Sequence, residues 1–85
     1  MLTEYIQAAM AKARYEILDD GEGHFGEIPG LDGLWANADT LDACRLELQS
    51  ALESWILVGI WHHHEIPVLN GIDLNVRPAS TQEVA

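Results

Sequence analysis

The feature that most constrains this chain is a capped amphipathic helix in its second half. Asp39 and Thr40 stand ahead of it, and either can accept hydrogen bonds from the first free N–H groups, while Asp42 places an anion at the positive end of the helix dipole. Leu41, Cys44, Leu48, Ala51, Leu52, Trp55 and Val58 then recur at three- and four-residue steps. That period gathers them on one side of a helix over residues 40–62, an element that must pack on a sheet or on another helix. In its first half the other positions are mostly polar. In its second half Ile56, Leu57, Ile60 and Trp61 fall off the stripe, so the helix turns apolar nearly all round and needs cover on both sides. Two kinds of cover are open: the chain's own terminal segments, or a homo-oligomer interface, dimer or tetramer, through those four residues.

The rest of the chain supplies little to bury that helix. Its 85 residues make one domain, residues 1–76, with a solvated tail over 77–85. No apolar run approaches the roughly 18 residues of a membrane span. The N-terminus lacks the basic start and apolar core of a secretory signal. The single cysteine, Cys44, lies on the apolar stripe, where an inert buried thiol in a reducing, cytoplasmic compartment is expected. Four basic residues against fourteen acidic ones give a formal charge of −10. Such a field repels phosphate backbones, so direct nucleic-acid binding is not expected, and it favours capture of a basic partner.

Around the helix the elements read as follows. Thr3 is expected to cap a first helix whose stripe is Leu2, Tyr5, Ile6, Ala9 and Ala13. Tyr15 and Ile17 alternate with Arg14 and Glu16, a strand over residues 14–18. An acidic, glycine-containing turn at residues 19–23 leads into a returning strand at 24–28. Pro29, Gly30 and Gly33 interrupt the chain before a third strand at 34–38. After the helix Pro67 forbids its continuation, and Ile72, Leu74 and Val76 alternate with polar neighbours as a last strand over 71–76. The expected fold is α+β in two layers: an N-terminal helix, then β-β-β-α-β, a small mostly antiparallel sheet covered by one long helix.

Several of these residues stand in a familiar order. Tyr15-Glu16-Ile17, then Gly26-Glu27-Ile28-Pro29-Gly30-Leu31-Asp32-Gly33-Leu34-Trp35-Ala36, then Asp39-Thr40-Leu41 and Cys44 opening a long Leu/Trp helix, resemble the HicB-like antitoxin family of bacterial type II toxin–antitoxin systems. Trp55-Ile56-Leu57 followed by Ile66-Pro67 resembles the subgroup with an extra N-terminal helix. The resemblance implies a partial RNase H-like sheet without nuclease activity, no cofactor, and a partner: a small basic HicA-type ribonuclease whose active surface the antitoxin covers. The chain departs from the family pattern in two places. Residues 77–85 are too short and too poor in basic residues for a DNA-binding segment, and Trp61-His62-His63-His64-Glu65 stands where relatives tend to have a basic residue and a glycine.

Candidate site residues follow from this reading. Glu16, Asp19, Asp20, Glu22, Glu27 and Asp32 would form an acidic partner-facing patch, or else merely solvate a sheet edge. Trp35 would either pack under the helix or stand exposed as an anchor for the partner. Trp61 would meet a second copy or the partner. Three adjacent histidines, His62–His64, diverge on a helix and alternate on a strand, so a solvated helix end is the expectation and metal binding the alternative. His24 and Glu27, three apart on a strand, face opposite sides and form no acid–base pair. No phosphate loop or nucleophile motif is present, and the expected role is that of a non-enzymatic interaction protein. The rival is an orphan binding or regulatory module of the same fold, with no cognate toxin.

Overall fold

A computed structural model describes residues 1–18 and 23–75 of the chain. Helix α1 (Leu2–Ala11) is followed by strands β1 (Arg14–Ile17), β2 (His24–Glu27) and β3 (Trp35–Ala38), and then by helix α2 (Leu41–Trp61). The strands form an antiparallel meander in the order β1-β2-β3. Helix α2 packs on one face of this sheet and α1 packs alongside α2, giving the expected two-layer α+β arrangement. No helix among the described residues is long and apolar enough to cross a membrane.

Register explains which face each helix can use. Tyr15, Gly26 and Ala36 lie side by side across the three strands, as do Ile17, His24 and Ala38. Both rows lie on the side that α2 occupies, because side chains alternate along a strand, and the helix covers the first of them while Ile17 in the second stays 79% exposed. A Cβ on Gly26 would come within 2.9 Å of the Tyr15 ring and 3.1 Å of Cys44 Sγ, so the helix and the tyrosine close over a position that only glycine leaves open. Cys44 is fully buried there, and its thiol lies 3.7 Å from the Ala36 carbonyl. Burial first, and the Glu47 carboxylate second, push that thiol above its ordinary range.

Helix α2 begins as expected: Thr40 Oγ1 accepts from the Ala43 N–H at 3.1 Å, settling the choice between Thr40 and Asp39. Its buried arc is Cys44, Leu48, Leu52, Ile56 and Gly59, a run of four-residue steps closed by one of three. Two expectations change here. Ile56 belongs to the core at 3% exposure, and Ile60 packs against that core, because α1 lies alongside α2 and covers that side. Val58, assigned to the stripe, is instead half exposed.

Helix α1 contributes Tyr5, Ala8 and Ala9 to the interior. Thr3 does not cap it. The helix starts two residues earlier than a Thr3 cap would allow, with Met1 at the cap position making no side-chain hydrogen bond, and the N-terminal ammonium pairs with Glu4. The Tyr5 hydroxyl donates to the Pro67 carbonyl at 2.6 Å, tying the first helix to the segment that leaves the second.

That segment is the main departure from the expected fold. No strand joins the sheet among the described residues after α2. Leu69 and Ile72 instead bond each other reciprocally across Asn70 and Gly71, both at positive φ (50° and 78°), a two-residue turn of the primed kind. The expected last strand over 71–76 is therefore interrupted at its start, and Val76 lies outside the described residues. Asn75 takes over a strand's work with its side chain. Its Oδ1 accepts from the Ile66 N–H at 2.7 Å while its Nδ2 donates to the Ile66 carbonyl at 2.8 Å, the two bonds a paired strand residue would make. The same Nδ2 reaches the carboxylates of Asp73 at 2.8 Å and Glu65 at 3.2 Å.

Candidate interaction face

The second face of the sheet carries no layer among the described residues. By the same register it presents Arg14, Glu27 and Trp35 in one row and Glu16, Phe25 and Asn37 in the next. Trp35 is 59% exposed and stacks on Phe25, with ring centroids 5.9 Å apart and planes 23° from parallel. The two rings sit on neighbouring strands, one row apart, where diagonal partners are within reach. Trp35 is thus an exposed platform and does not pack under the helix.

The loop after β2 completes this face. Gly30 and Gly33 adopt φ of +90° and +80°, and the two turns they permit fold the loop back so that Ile28, Leu31 and Leu34 enter the core. Asp32 is left outside, on the rim of a shallow cavity of about 230 Å³ that it shares with Arg14, Phe25, Glu27 and Trp35. Of the expected partner-facing residues, the structure therefore brings Glu16, Glu27, Asp32 and Trp35 together on one surface. Asp19, Asp20 and Glu22 lie outside the described residues. Sequence reading missed Phe25 and Arg14. Register supplies both, since every second residue of β1 and β2 shares a side with Glu16 and Glu27.

The electrostatics of this face are simple. Among the described residues the ion pairs are Met1–Glu4 and Arg45–Asp42, and both lie on the helices, away from it. Glu16, Glu27 and Asp32 are exposed, beside one cation, Arg14. The arrangement is an aromatic anchor ringed by carboxylates, with hydrogen-bond acceptors in excess over donors. It suits a docking surface for a cationic partner, where aromatics supply buried area and charges supply orientation.

The remaining candidates separate in space. His24 lies on the helix-facing row and Glu27 on the open face, as the strand period requires; His24 Nδ1 is buried without a hydrogen-bond partner among the described residues. His62–His64 are exposed at the end of α2. His64 N–H bonds the Gly59 carbonyl at 2.8 Å and His63 N–H bonds that of Ile60 at 3.1 Å, the pair of bonds of a Schellman cap, with His63 at φ 58° in the place usually held by glycine. The imidazoles of His62 and His64 stack 5.6 Å apart. No group of three or more His, Cys, Asp or Glu able to hold a metal ion occurs among the described residues.

Comparison with known proteins places this geometry. A family model described as UPF0150-like matches residues 4–67, which include all three strands, α2 and all but the first two residues of α1. The crystal structure of TTHA0281 from Thermus thermophilus is similar, with a TM-score of 0.82 and 40% identity over 91% of this chain and 95% of that one. No curated protein matches the sequence.

Proposed function

Because the chain belongs to the UPF0150-like family, a family related to HicB-type antitoxins, we propose that it is a non-catalytic antitoxin that neutralises a small basic HicA-type ribonuclease. The open sheet face lies over the toxin's active surface and excludes RNA from it. The observation that carries this reading is the Phe25–Trp35 stack, uncovered by any described layer of its own chain and bordered by Glu16, Glu27 and Asp32. Inhibition is steric and stoichiometric. A field from ten net negative charges draws a cationic partner in and orients it, while the aromatic pair supplies the area that holds it.

Mixing the purified chain with a HicA-type toxin tests this directly. RNA cleavage stops at equimolar chain. Trp35→Asp weakens the complex by about thirtyfold, the ~2 kcal/mol of an interface hot spot. A chain that binds no basic ribonuclease, or one whose inhibition is indifferent to Trp35 and Glu27, overturns the reading.

A further inference from the structure

Trp35 also borders a second and larger cavity, of about 560 Å³, which the entry to β3 shares with the last turns of α2. Three stretches of chain build it. Leu34 and Trp35 come from the entry to β3, Ser54, Trp55 and Val58 from α2, and Glu65 and Ile66 from the segment after the helix. His63, in the left-handed region, turns the chain at the helix end, and Ile66 returns to Gly59, where a Cβ would stand an ordinary 3.6 Å from its side chain. Leu34 and Ile66 are buried and close the inside, whereas Trp35, Ser54, Val58 and Glu65 keep exposed surface. The result is a largely apolar slot with two indoles in its lining and a carboxylate at its mouth.

We infer that this cavity takes an arginine side chain of a protein partner, its apolar stem against Leu34 and Val58 and its guanidinium between an indole face and the Glu65 carboxylate. Among the described residues that line it, His64 and Glu65 are the titratable ones, and neither Lys nor Arg is present. Glu65 Oε2 accepts from Asn75 Nδ2 at 3.2 Å, which leaves Oε1 to meet a donor from outside. Phe25 takes one face of the Trp35 ring, so the other face is open to a cation.

Charge selects the occupant. Glu65 and the net −10 of the chain turn an anion away. A wholly apolar group would strip water from the carboxylate and return no hydrogen bond. A guanidinium suits the site better than an ammonium, because it is planar, stacks on an aromatic ring and binds a carboxylate through two parallel N–H donors. Trp35 is common to this cavity and to the open sheet face, so a single cationic partner reaches both. The inference deepens the antitoxin reading and rests on its basic partner. It adds what that partner must carry: an arginine that reaches past the outer strand β3.

Short capped peptides test it without any toxin. Leu-Arg-Leu, Leu-Lys-Leu and Leu-citrulline-Leu are titrated into the full, isotopically labelled chain, and the indole N–H resonances of Trp35, Trp55 and Trp61 are followed by NMR. The arginine peptide is expected to shift Trp35 and Trp55 and to leave Trp61, 76% exposed and outside the cavity, in place. The lysine peptide binds about threefold more weakly, and citrulline, of the same shape without the charge, about tenfold more weakly. Glu65→Gln, which keeps an oxygen for Asn75, weakens the arginine peptide about fivefold. Ser54→Arg, which sets the chain's own cation at the slot, abolishes its binding; circular dichroism checks that both variants keep their helices. Equal binding by citrulline or lysine, shifts at Trp61 or at Trp35 alone, or indifference to Glu65→Gln overturns the inference. A chain that takes the arginine peptide as expected but inhibits no ribonuclease keeps this site and loses the antitoxin reading. One that inhibits the ribonuclease and ignores the peptides loses this site and keeps that reading.

Discussion

His63 and Gly26 show how much single backbone positions settle here, in opposite directions. His63 closes α2 from the left-handed region, where a side chain costs about 1 kcal/mol that glycine does not incur. His63→Gly is therefore expected to raise the melting temperature, with a gain of about 0.5–1 kcal/mol by chemical denaturation, and without change to the open face. Gly26 is the reverse case. A methyl group there meets Tyr15 and Cys44 at 2.9–3.1 Å, so Gly26→Ala should destabilise by about 1–3 kcal/mol, the usual result of overfilling a packed core. Gly26 sits in the middle of a strand, where glycine is a weak choice on propensity alone. Its reason lies in the helix above it, and no local pattern announces that.

At the scale of elements, what the sequence carries depends on whether a period or a single contact does the specifying. Helix α2 was legible because its cap and its three- and four-residue steps repeat the same message for about five turns. Its side assignment was less so: Ile56 is one step of four from Leu52 and lies nearer the core than Val58, yet only the position of α1 decides that it is covered. Strand alternation made the shared side of Glu16 and Glu27 legible, whereas Trp35 was left open between burial under the helix and exposure, and Asp32 lies in a loop that no alternation fixes; Phe25, two residues from Glu27 on the same strand, was within reach of that alternation and was missed. The segment after α2 was misread as a strand despite Asn70-Gly71, the strongest short-range signal for a two-residue turn. The surrogate pairing by Asn75 could not be read at all, as it joins residues through one side chain.

The tie between α1 and that segment makes its own prediction. Tyr5→Phe removes the bond to Pro67 and should cost about 0.5–1.5 kcal/mol. Burial also raises the pKa of the Tyr5 phenol and the Cys44 thiol above their ordinary values of 10.0 and 9.0. The folded chain then holds protons that the unfolded chain releases, so the contribution of these two groups is level below about pH 9 and falls as pH rises beyond it. Denaturation at a series of alkaline pH values measures this slope. In Tyr5→Phe the fall attributable to the phenol disappears, leaving the part that starts with the thiol.

For the whole molecule the governing fact is the division of labour between layers. One sheet face is covered by α2; among the described residues the other is bare, acidic and aromatic; and the outer side of α2 carries no Asp, Glu, Lys or Arg from Ser54 to Trp61. Steering by the acidic face predicts that added salt slows association with a basic ribonuclease far more than it hastens dissociation, measurable by stopped flow between about 50 and 500 mM salt. Lowering the net charge by Glu16→Gln and Glu27→Gln should slow association in the same way at low salt, with little change in dissociation. An association rate insensitive to both would mean that shape alone finds the partner.

The amide of Asn75 holds the last described turn against Ile66 with one acceptor and a set of donors, and it faces two carboxylates. Hydrolysis of that single amide, a common route of protein ageing, would replace the donors with a third negative group beside Glu65 and Asp73. The chain would then lose its clasp at the spot where α1 and the exit from α2 meet, while the sheet stayed intact. An Asn75→Asp chain should thus lose hydrogen-exchange protection at the Ile66 amide while the Phe25–Trp35 stack stays undisturbed.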